Sequence, residues 1–439
     1  MKYEAIDFKL FVKNRQRFSK ALKSNSLAIF NSNDIMPTNA DGTMPFRQNN
    51  DLFHLSGVDQ EESILIIFPD AKSEKHREIL FLKETNAHIA VWEGAKLDKK
   101  QAYQTSGIQT VYWLDEFEAV LKDLVHEAKH VYLNTNEHLR AKIEVETRDA
   151  RFGKWIRETY PDQNYELSAT IMHKIRAVKD DAEIALIQKA CDLTESAFRK
   201  ILKTIKPGVM EYEIEADVIH EFIRNRSRGF AYTPIIASGK NACVLHYIEN
   251  NKKLNKNELL LVDAGCEYEM YASDITRTYP ISGKFSKEQL EIYKIVLDAM
   301  NAAIDKVKEG NNIMEPQEIS EKIITNGLVE LGLLHGDPEE LHKKGAFKDF
   351  YMHKIGHWLG LDVHDAGDYM EGDDFMKFKP GMITTIEPGI YISRSMDVDD
   401  KWKGIGIRIE DDILVTKDGN ENLTKKVPSD PAEIESLMS

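Results

Sequence analysis

The sequence predicts two domains of different class, an α/β domain over residues 1–170 and an α+β domain with an antiparallel sheet over residues 171–439. Three observations carry this expectation. The chain has 439 residues, more than a single hydrophobic core organises. In the first part, strand-length apolar runs and helical periodicity share the chain with polar turns. In the second part the strands stand close together in sequence, apart from the long helical stretches.

Taken in order, a helical pattern covers residues 8–22, and strand-like runs follow at 27–30, 63–68, 78–82 and 130–133. Polar, turn-rich segments such as 31–50 separate them. The pattern changes between Tyr165 and Lys179, which puts the domain boundary within 165–178. From Asp180 onward Ile184, Ile187, Ala190, Leu193 and Phe198 recur at helical spacing, so a long amphipathic helix is expected. Lys206-Pro207-Gly208 should stop it. Further helices are predicted at 211–226, 287–308 and 316–331, with Gly310-Asn311-Asn312 ending the second of these. Strands are predicted at 259–264, 269–278, 382–386 and 405–415.

Composition narrows the function. Hydrophobic residues at 42% and charged residues at 30% are ordinary for a soluble globular chain. A formal net charge of -15 argues against a nucleic-acid partner, because phosphate backbones require a basic face. The three cysteines, Cys191, Cys243 and Cys266, form no CxxC pair, which points to a reducing compartment. The N-terminal MKYEAIDFKLFVKNRQRF is charged throughout, and the most apolar short run, Ile64-Leu65-Ile66-Ile67-Phe68, has only strand length. The cytoplasm is the expected location, with no membrane partner.

The chemistry-bearing residues lie in the second part. In VDAGCEYEMYASDITRTYP, Asp263 and Asp274 flank a segment that can fold back as a hairpin about residues 268–269, which would set the two aspartates opposite one another. Two carboxylates on one sheet face repel unless a cation lies between them; ordinary turn aspartates are the alternative. FYMHKIGHWLGLDVHDAG holds His353, His357 and His364. Imidazole is both the commonest nitrogen metal ligand and the usual neutral-pH acid or base. Three in one segment, of 14 in the chain, favour function over structure. Gly356 and Gly360 argue against a shared helix face. Glu387 ends the run MITTIEPG, and Glu410 lies in GIGIRIEDDILV beside Arg408 on the polar side of an alternating strand. An exposed sheet face is the bland reading of each glutamate.

Four carboxylates and one imidazole suit two divalent ions. Two metals about 3.5–4 Å apart can hold a hydroxide between them and polarise a carbonyl. Mostly oxygen ligands favour hard ions such as Mn²⁺, with Zn²⁺, Co²⁺ and Fe²⁺ left open. Cys266 matches such a site poorly and reads as a buried thiol.

These motifs resemble those of the pita-bread metallopeptidases, specifically aminopeptidase P and its relative prolidase, over nearly the whole chain. DAGCEYEMYASDITRT looks like the first ligand pair, HWLGLDVHD like the histidine segment, and TIEPG and GIRIEDD like the glutamate segments. The resemblance implies a ribonuclease-H-like N-terminal domain and a pita-bread catalytic domain. It implies Asp263, Asp274, His357, Glu387 and Glu410 as metal ligands, with Asp274 and Glu410 bridging. It further implies that His246 contacts substrate near the scissile bond, that His364 bonds the peptide carbonyl and that His353 lines a proline pocket. Glu387 would shuttle the proton to the leaving nitrogen, and Arg408 would hold a ligand carboxylate. Trp92 matches an aromatic of the substrate channel, with a core tryptophan as the alternative. Lys354 departs from the glycine of many relatives. The expected substrates are peptides with proline second, cut as Xaa-|-Pro. The expected assembly is a homo-oligomer, dimer or tetramer. The short connection from Glu387 to Glu410, ending Lys401-Trp402-Lys403-Gly404, resembles aminopeptidase P more than prolidase. A dipeptidase, and a non-hydrolytic binder on the same fold, are the alternatives; the binders typically lose a ligand, and none is lost here.

Overall fold

In the computed structural model, which describes residues 4–439, contacts separate the chain up to Arg176 from the chain from Ala177 onward. The first unit is a six-stranded mixed sheet with helices. Its strands are β1 (Ser26–Asn31), β2 (Ile64–Ile67), β3 (Glu78–Leu82), β4 (Thr110–Trp113), β5 (His130–Leu133) and β6 (Asn164–Leu167), in the order β4-β3-β2-β1-β5-β6. β2 runs antiparallel to β1 and β3, and the other pairs are parallel. The helices are α1 (Lys9–Ala21), α2 (Asn50–Ser56), α3 (Ala87–Glu93), α4 (Lys99–Ser106), α5 (Phe117–Glu127), α6 (Arg148–Thr159) and α7 (Ala169–Ala177).

Both faces of this sheet are covered. Ala28 and Phe30 enter one core while Leu27 and Ile29 enter the other. That is why the central strands read as continuous apolar runs. β4 and β6 carried no such signal, because both are edge strands and largely half-exposed. β6 also lies where the sequence pattern changes. The Phe46–Asp51 stretch is structural: Gln48 Nε2 donates to the carbonyls of Val58 (3.0 Å) and Gln60 (2.9 Å), and Asn49 caps α2. Trp92, on α3, is 79% exposed, so it is not a core residue.

The second unit begins with α8 (Asp181–Ile201) and α9 (Glu211–Arg224), which pack together. α8 starts where Asp180 and Glu183 cap each other's backbone N–H groups. It ends at Ile201, ahead of Lys206-Pro207-Gly208. Six strands follow: β7 (Gly229–Phe230), β8 (Ile235–Ser238), β9 (Leu259–Asp263), β10 (Cys266–Tyr268), β11 (Tyr271–Ala272) and β12 (Thr276–Pro280). A second helix pair, α10 (Lys287–Ile304) and α11 (Met314–Glu330), leads through α12 (Pro338–Lys343) to a second strand set. This comprises β13 (Met370–Glu371), β14 (Asp374–Phe375), β15 (Ile383–Ile386), β16 (Gly389–Ile392), β17 (Ile405–Arg408), β18 (Asp411–Thr416) and β19 (Gly419–Asn422), and α13 (Pro431–Leu437) closes the chain. Every strand pair here is antiparallel among the described residues. No helix among the described residues is long and apolar enough to cross a membrane.

Three expectations need correction. Residues 269–278 are not one strand: the chain leaves β11 and re-enters the ladder at β12, with Ser273-Asp274-Ile275 between. Residues 405–415 likewise split at Ile409-Glu410, so β17 pairs with β16 while β18 pairs with β15. The hairpin turns about Glu269-Met270, not 268–269; both residues have positive φ (50° and 73°), as a two-residue type I′ turn requires. Tyr268 then faces Tyr271, and Asp263 faces Thr276 instead of Asp274. Moving the turn by one residue moves the partner by two. Side-chain parity is kept, so Asp274 lies on the face of Asp263, one diagonal step away.

Candidate metal centre

The two strand sets meet where Glu410 bridges to Thr276, and the histidine segment joins the second set where Trp358 bridges to Thr384. The first set contributes Asp263 at the end of β9 and Asp274 ahead of β12. The second contributes His357 from an irregular segment, Glu387 between β15 and β16, and Glu410 between β17 and β18. Two glycines allow close backbone approaches around these residues. A Cβ on Gly265 would lie 1.7 Å from the Ser273 carbonyl oxygen, and one on Gly356 would lie 1.9 Å from that of Thr385. Gly356 thus lets the histidine segment lie on β15, where His357 N–H donates to Thr385 Oγ1 (3.1 Å) and Thr384 Oγ1 donates to His357 O (3.0 Å).

Donor atoms of Asp274, His357 and Glu410 all lie within 4.8 Å of one another. His357 Nδ1 is 3.0 Å from the Trp358 carbonyl, which can only accept, so Nδ1 carries the proton. Nε2 then points at Asp274 Oδ2 (3.4 Å) and Glu387 Oε1 (3.7 Å). Asp263 joins through Tyr232, whose hydroxyl lies 2.6 Å from Asp263 Oδ1 and 2.5 Å from Asp274 Oδ1. One phenolic proton cannot serve both oxygens at once. Arg408 ion-pairs with Asp263, donates to Tyr391 Oη (3.0 Å) and donates from Nε to Thr276 Oγ1 (3.2 Å). Thr276 passes its own proton toward Glu410 Oε2 (2.6 Å).

Burial makes this crowd of carboxylates unstable as anions. It pushes Glu410 well above the usual carboxylate range, and Asp274, Glu387 and Asp263 push it further. Asp274 is raised by burial and by Asp263, despite its bond to His357. Glu387 rises to about 7, chiefly through burial. Burial opposes a charged His357, but the bond to Asp274 and the charge of Glu387 outweigh it and raise the imidazole. A proton must therefore sit among these groups unless a cation replaces it. Four acceptor-only carboxylates and one imidazole lone pair, converging in a buried space with Arg408 as the fixed cation, fit divalent metal ions.

The flanking histidines fall around this set. His364 is exposed and stacks edge-on against His357, with ring centroids 4.2 Å apart. His353 Nδ1 donates to the Lys354 carbonyl (2.9 Å), so its Nε2 accepts from Tyr391 O–H (2.8 Å). Burial and then the Arg408 charge lower His353 to about 4, which keeps the ring neutral. Tyr351 and Tyr391 pack on it at 4.9 and 5.6 Å. Lys354 is exposed. His246 is exposed in a turn after β8. Cys266 is buried, and burial raises its thiol to about 12.

Sequence reasoning missed Tyr232, Tyr391, Thr276 and Asp412. Asp412 Oδ2 accepts from Asp274 N–H (3.0 Å) and from the Cys191 thiol (3.4 Å). Thr276 and Asp412 adjoin recognised ligands in DITRT and EDD and could have been found. Tyr232 and Tyr391 are isolated tyrosines that nothing in the sequence marks out.

Comparisons with known proteins identify relatives of both parts of the chain. Residues 185–417 match metallopeptidase family M24, and residues 11–132 match the aminopeptidase P N-terminal domain. The Xaa-Pro aminopeptidase of Haemophilus influenzae is 39% identical over 98% of this chain and 97% of its own length. That of Escherichia coli is 36% identical over 98% and 97%. Among solved structures, Pseudomonas aeruginosa aminopeptidase PepP superposes with a TM-score of 0.93 at 35% identity, covering 99% of this chain and 98% of that one. Escherichia coli aminopeptidase P with the inhibitor Pro-Leu gives 0.90 at 34%, covering 99% of each chain. With matches to both of its parts and relatives aligned along almost its whole length, this chain belongs to metallopeptidase family M24, as a hydrolase that uses divalent metal ions on a pita-bread domain preceded by an aminopeptidase P N-terminal domain.

Proposed function

We propose that this protein is a dinuclear-metal aminopeptidase that releases the first residue from peptides with proline in second position. The observation that carries the reading is the buried cluster of Asp274, His357 and Glu410, with Glu387 beside His357 and Asp263 joined through Tyr232, in a chain whose relatives named Xaa-Pro aminopeptidases align along nearly all of it. Asp263, Asp274, His357, Glu387 and Glu410 would hold two divalent ions, Mn²⁺ by the hardness of the donors. Residues 171–439 carry the catalysis and residues 1–170 do not. A cytoplasmic homo-oligomer completes the proposal.

Bound there, the metal pair supplies Lewis-acid polarisation of the scissile carbonyl and activation of the attacking water. The chain's own groups do the rest. Glu387, whose carboxylate lies beside His357 Nε2, would accept a proton from the water and deliver it to the proline nitrogen. Arg408 fixes Asp263, and with Tyr391 it keeps His353 neutral and oriented. The rings of Tyr351, His353 and Tyr391 give the proline an aromatic wall. His364 is placed to donate to the developing oxyanion, and His246 to contact the substrate beside the scissile bond.

His364→Ala should keep both ions while turnover falls about 10²-fold, the usual loss for one oxyanion donor. Metal content falling in parallel with activity would make His364 a ligand or a structural residue instead. The decisive substrate test compares kcat/KM for Arg-Pro-Pro and Arg-Pro under equal Mn²⁺. Both an aminopeptidase and a dipeptidase cut before proline, whose tertiary amide excludes most peptidases. Only the dipeptidase must capture a free carboxylate directly after that proline. Tripeptide cleavage is expected to be faster; preference for the dipeptide would make the enzyme a prolidase with the same metal chemistry.

A further inference from the structure

A fully buried carboxylate lies outside the metal centre. Glu211, the first residue of α9, is 0% exposed and pairs with no cation among the described residues. Its Oε1 accepts from Ser238 N–H (2.8 Å) and Ser238 Oγ (2.6 Å). Its Oε2 accepts from Tyr247 O–H (2.7 Å) and Lys252 N–H (2.8 Å), and its own N–H donates to Lys252 O (2.9 Å). One turn along α9, Glu215 accepts from Asn250 Nδ2 (2.9 Å). Asn250 in turn holds Ile236 N–H (3.0 Å) and Pro234 O (3.1 Å).

A single helix face thus fastens both ends of the segment 238–252 and its buried tyrosine. Four donors converge on Glu211, and only an acceptor-only group receives all four; a glutamine would turn its NH₂ toward one pair. Burying a carboxylate without a cation is unfavourable, so the arrangement needs a gain elsewhere. What the segment presents is His246, exposed next to buried Tyr247. Tyr247 packs in one apolar cluster with Tyr391, which orients His353. A Cβ on Gly406 of β17 would lie 2.4 Å from the Ala242 carbonyl, so the same segment also lies tight on the strand that carries Arg408.

We infer that Glu211 is a positioning residue for the peptidase reaction, clamping the 238–252 segment so that His246 is held at the substrate. The inference rests on the role proposed above for His246. Four proteins test it on Arg-Pro-Pro with metal loaded: the parent, Tyr247→Phe, His246→Ala and the double variant. Tyr247→Phe keeps the ring and removes only the hydroxyl that reaches Glu211. It should lower kcat roughly tenfold to a hundredfold, the size of one hydrogen bond to a charged group. KM and metal content should stay unchanged. In the His246→Ala background the same change should cause no further loss. Glu211→Gln should show the same pattern, larger; should that variant fail to fold, the four-protein cycle decides alone. Equal losses from Tyr247→Phe in both backgrounds, or faster amide hydrogen exchange across 238–252 with parental kcat, would reduce Glu211 to a fold support and overturn the inference. His246→Ala with parental turnover would remove the role of His246 itself, and that single variant tells the two failures apart.

Discussion

Asp274→Asn and Glu410→Gln should each lower metal affinity and turnover together, with kcat falling roughly 10³-fold or more. Both side chains supply oxygens to the buried cluster that includes His357 Nε2, and both are destabilised as anions there by burial and by neighbouring carboxylates, Asp263 among them. A dication is what makes those charges acceptable. Amide replacement removes one negative charge from a site whose counter-charge includes Arg408, and it places an NH₂ where a cation must lie. A loss of several kcal/mol at that point corresponds to three or more decades in rate. The effect should differ from that of His364→Ala in one respect. Added Mn²⁺ should partly restore the two ligand variants, since their defect includes occupancy, but should do nothing for His364→Ala. Inductively coupled plasma measurement of metal per chain, beside kcat at rising Mn²⁺, checks both halves. Full metal content with parental turnover in either variant would take that residue out of the centre.

Much of this site was legible because ligand residues sit in short motifs whose neighbours are also constrained. Glu387 is followed by the strand-breaking Pro388-Gly389, and Glu410 follows an alternation of Ile405, Ile407 and Ile409. The order of the motifs along the chain carried more information than any single one. What escaped was of two kinds. The hairpin register depended on a turn whose two left-handed residues, Glu269 and Met270, are not the Asn or Gly that usually announce such a turn. Tyr232 reaches the centre from an irregular segment far from the ligand motifs, and Tyr391, although only four residues past Glu387, takes its role from the approach of Arg408 and His353, which the sequence does not show. The strand break at Ile409-Glu410 was hidden for a related reason. Both sides of that segment are buried, so apolar periodicity continued through the point where the chain changes partners. In the first unit the same logic separates the central strands, apolar on both faces, from the edge strands β4 and β6.

The other large effect concerns stability. Arg277, on β12, is 0% exposed, and its guanidinium ties four parts of the second unit together. It donates to the carbonyls of Thr276 (2.9 Å), Glu410 (2.6 Å), Val427 (3.1 Å) and Pro428 (3.1 Å), and it pairs with Asp411 Oδ1 at 2.6 Å. Asp411 also accepts from Asn422 Nδ2 (2.7 Å) and Thr424 Oγ1 (2.7 Å), so the carboxylate would keep neutral donors but no cation if Arg277 were lost. Removing one member of a buried ion pair typically costs about 3–5 kcal/mol, because the remaining charge stays desolvated. Arg277→Met should therefore destabilise the second unit by about that amount and displace Glu410 through its freed carbonyl, weakening metal binding as a secondary effect. Arg277→Lys should recover only part of the loss. It keeps the charge, but an ammonium has three donors and no planar fork with which to span Asp411 and the carbonyls on either side. Urea unfolding followed by hydrogen exchange resolves the two units separately. The midpoint for residues 177–439 should fall in the order parent, Lys, Met, while that for residues 4–176 stays in place. Equal midpoints for Lys and Met would mean that the charge of Arg277 is unimportant and its shape decides; unchanged midpoints in both would mean that this buried pair does not hold the unit together.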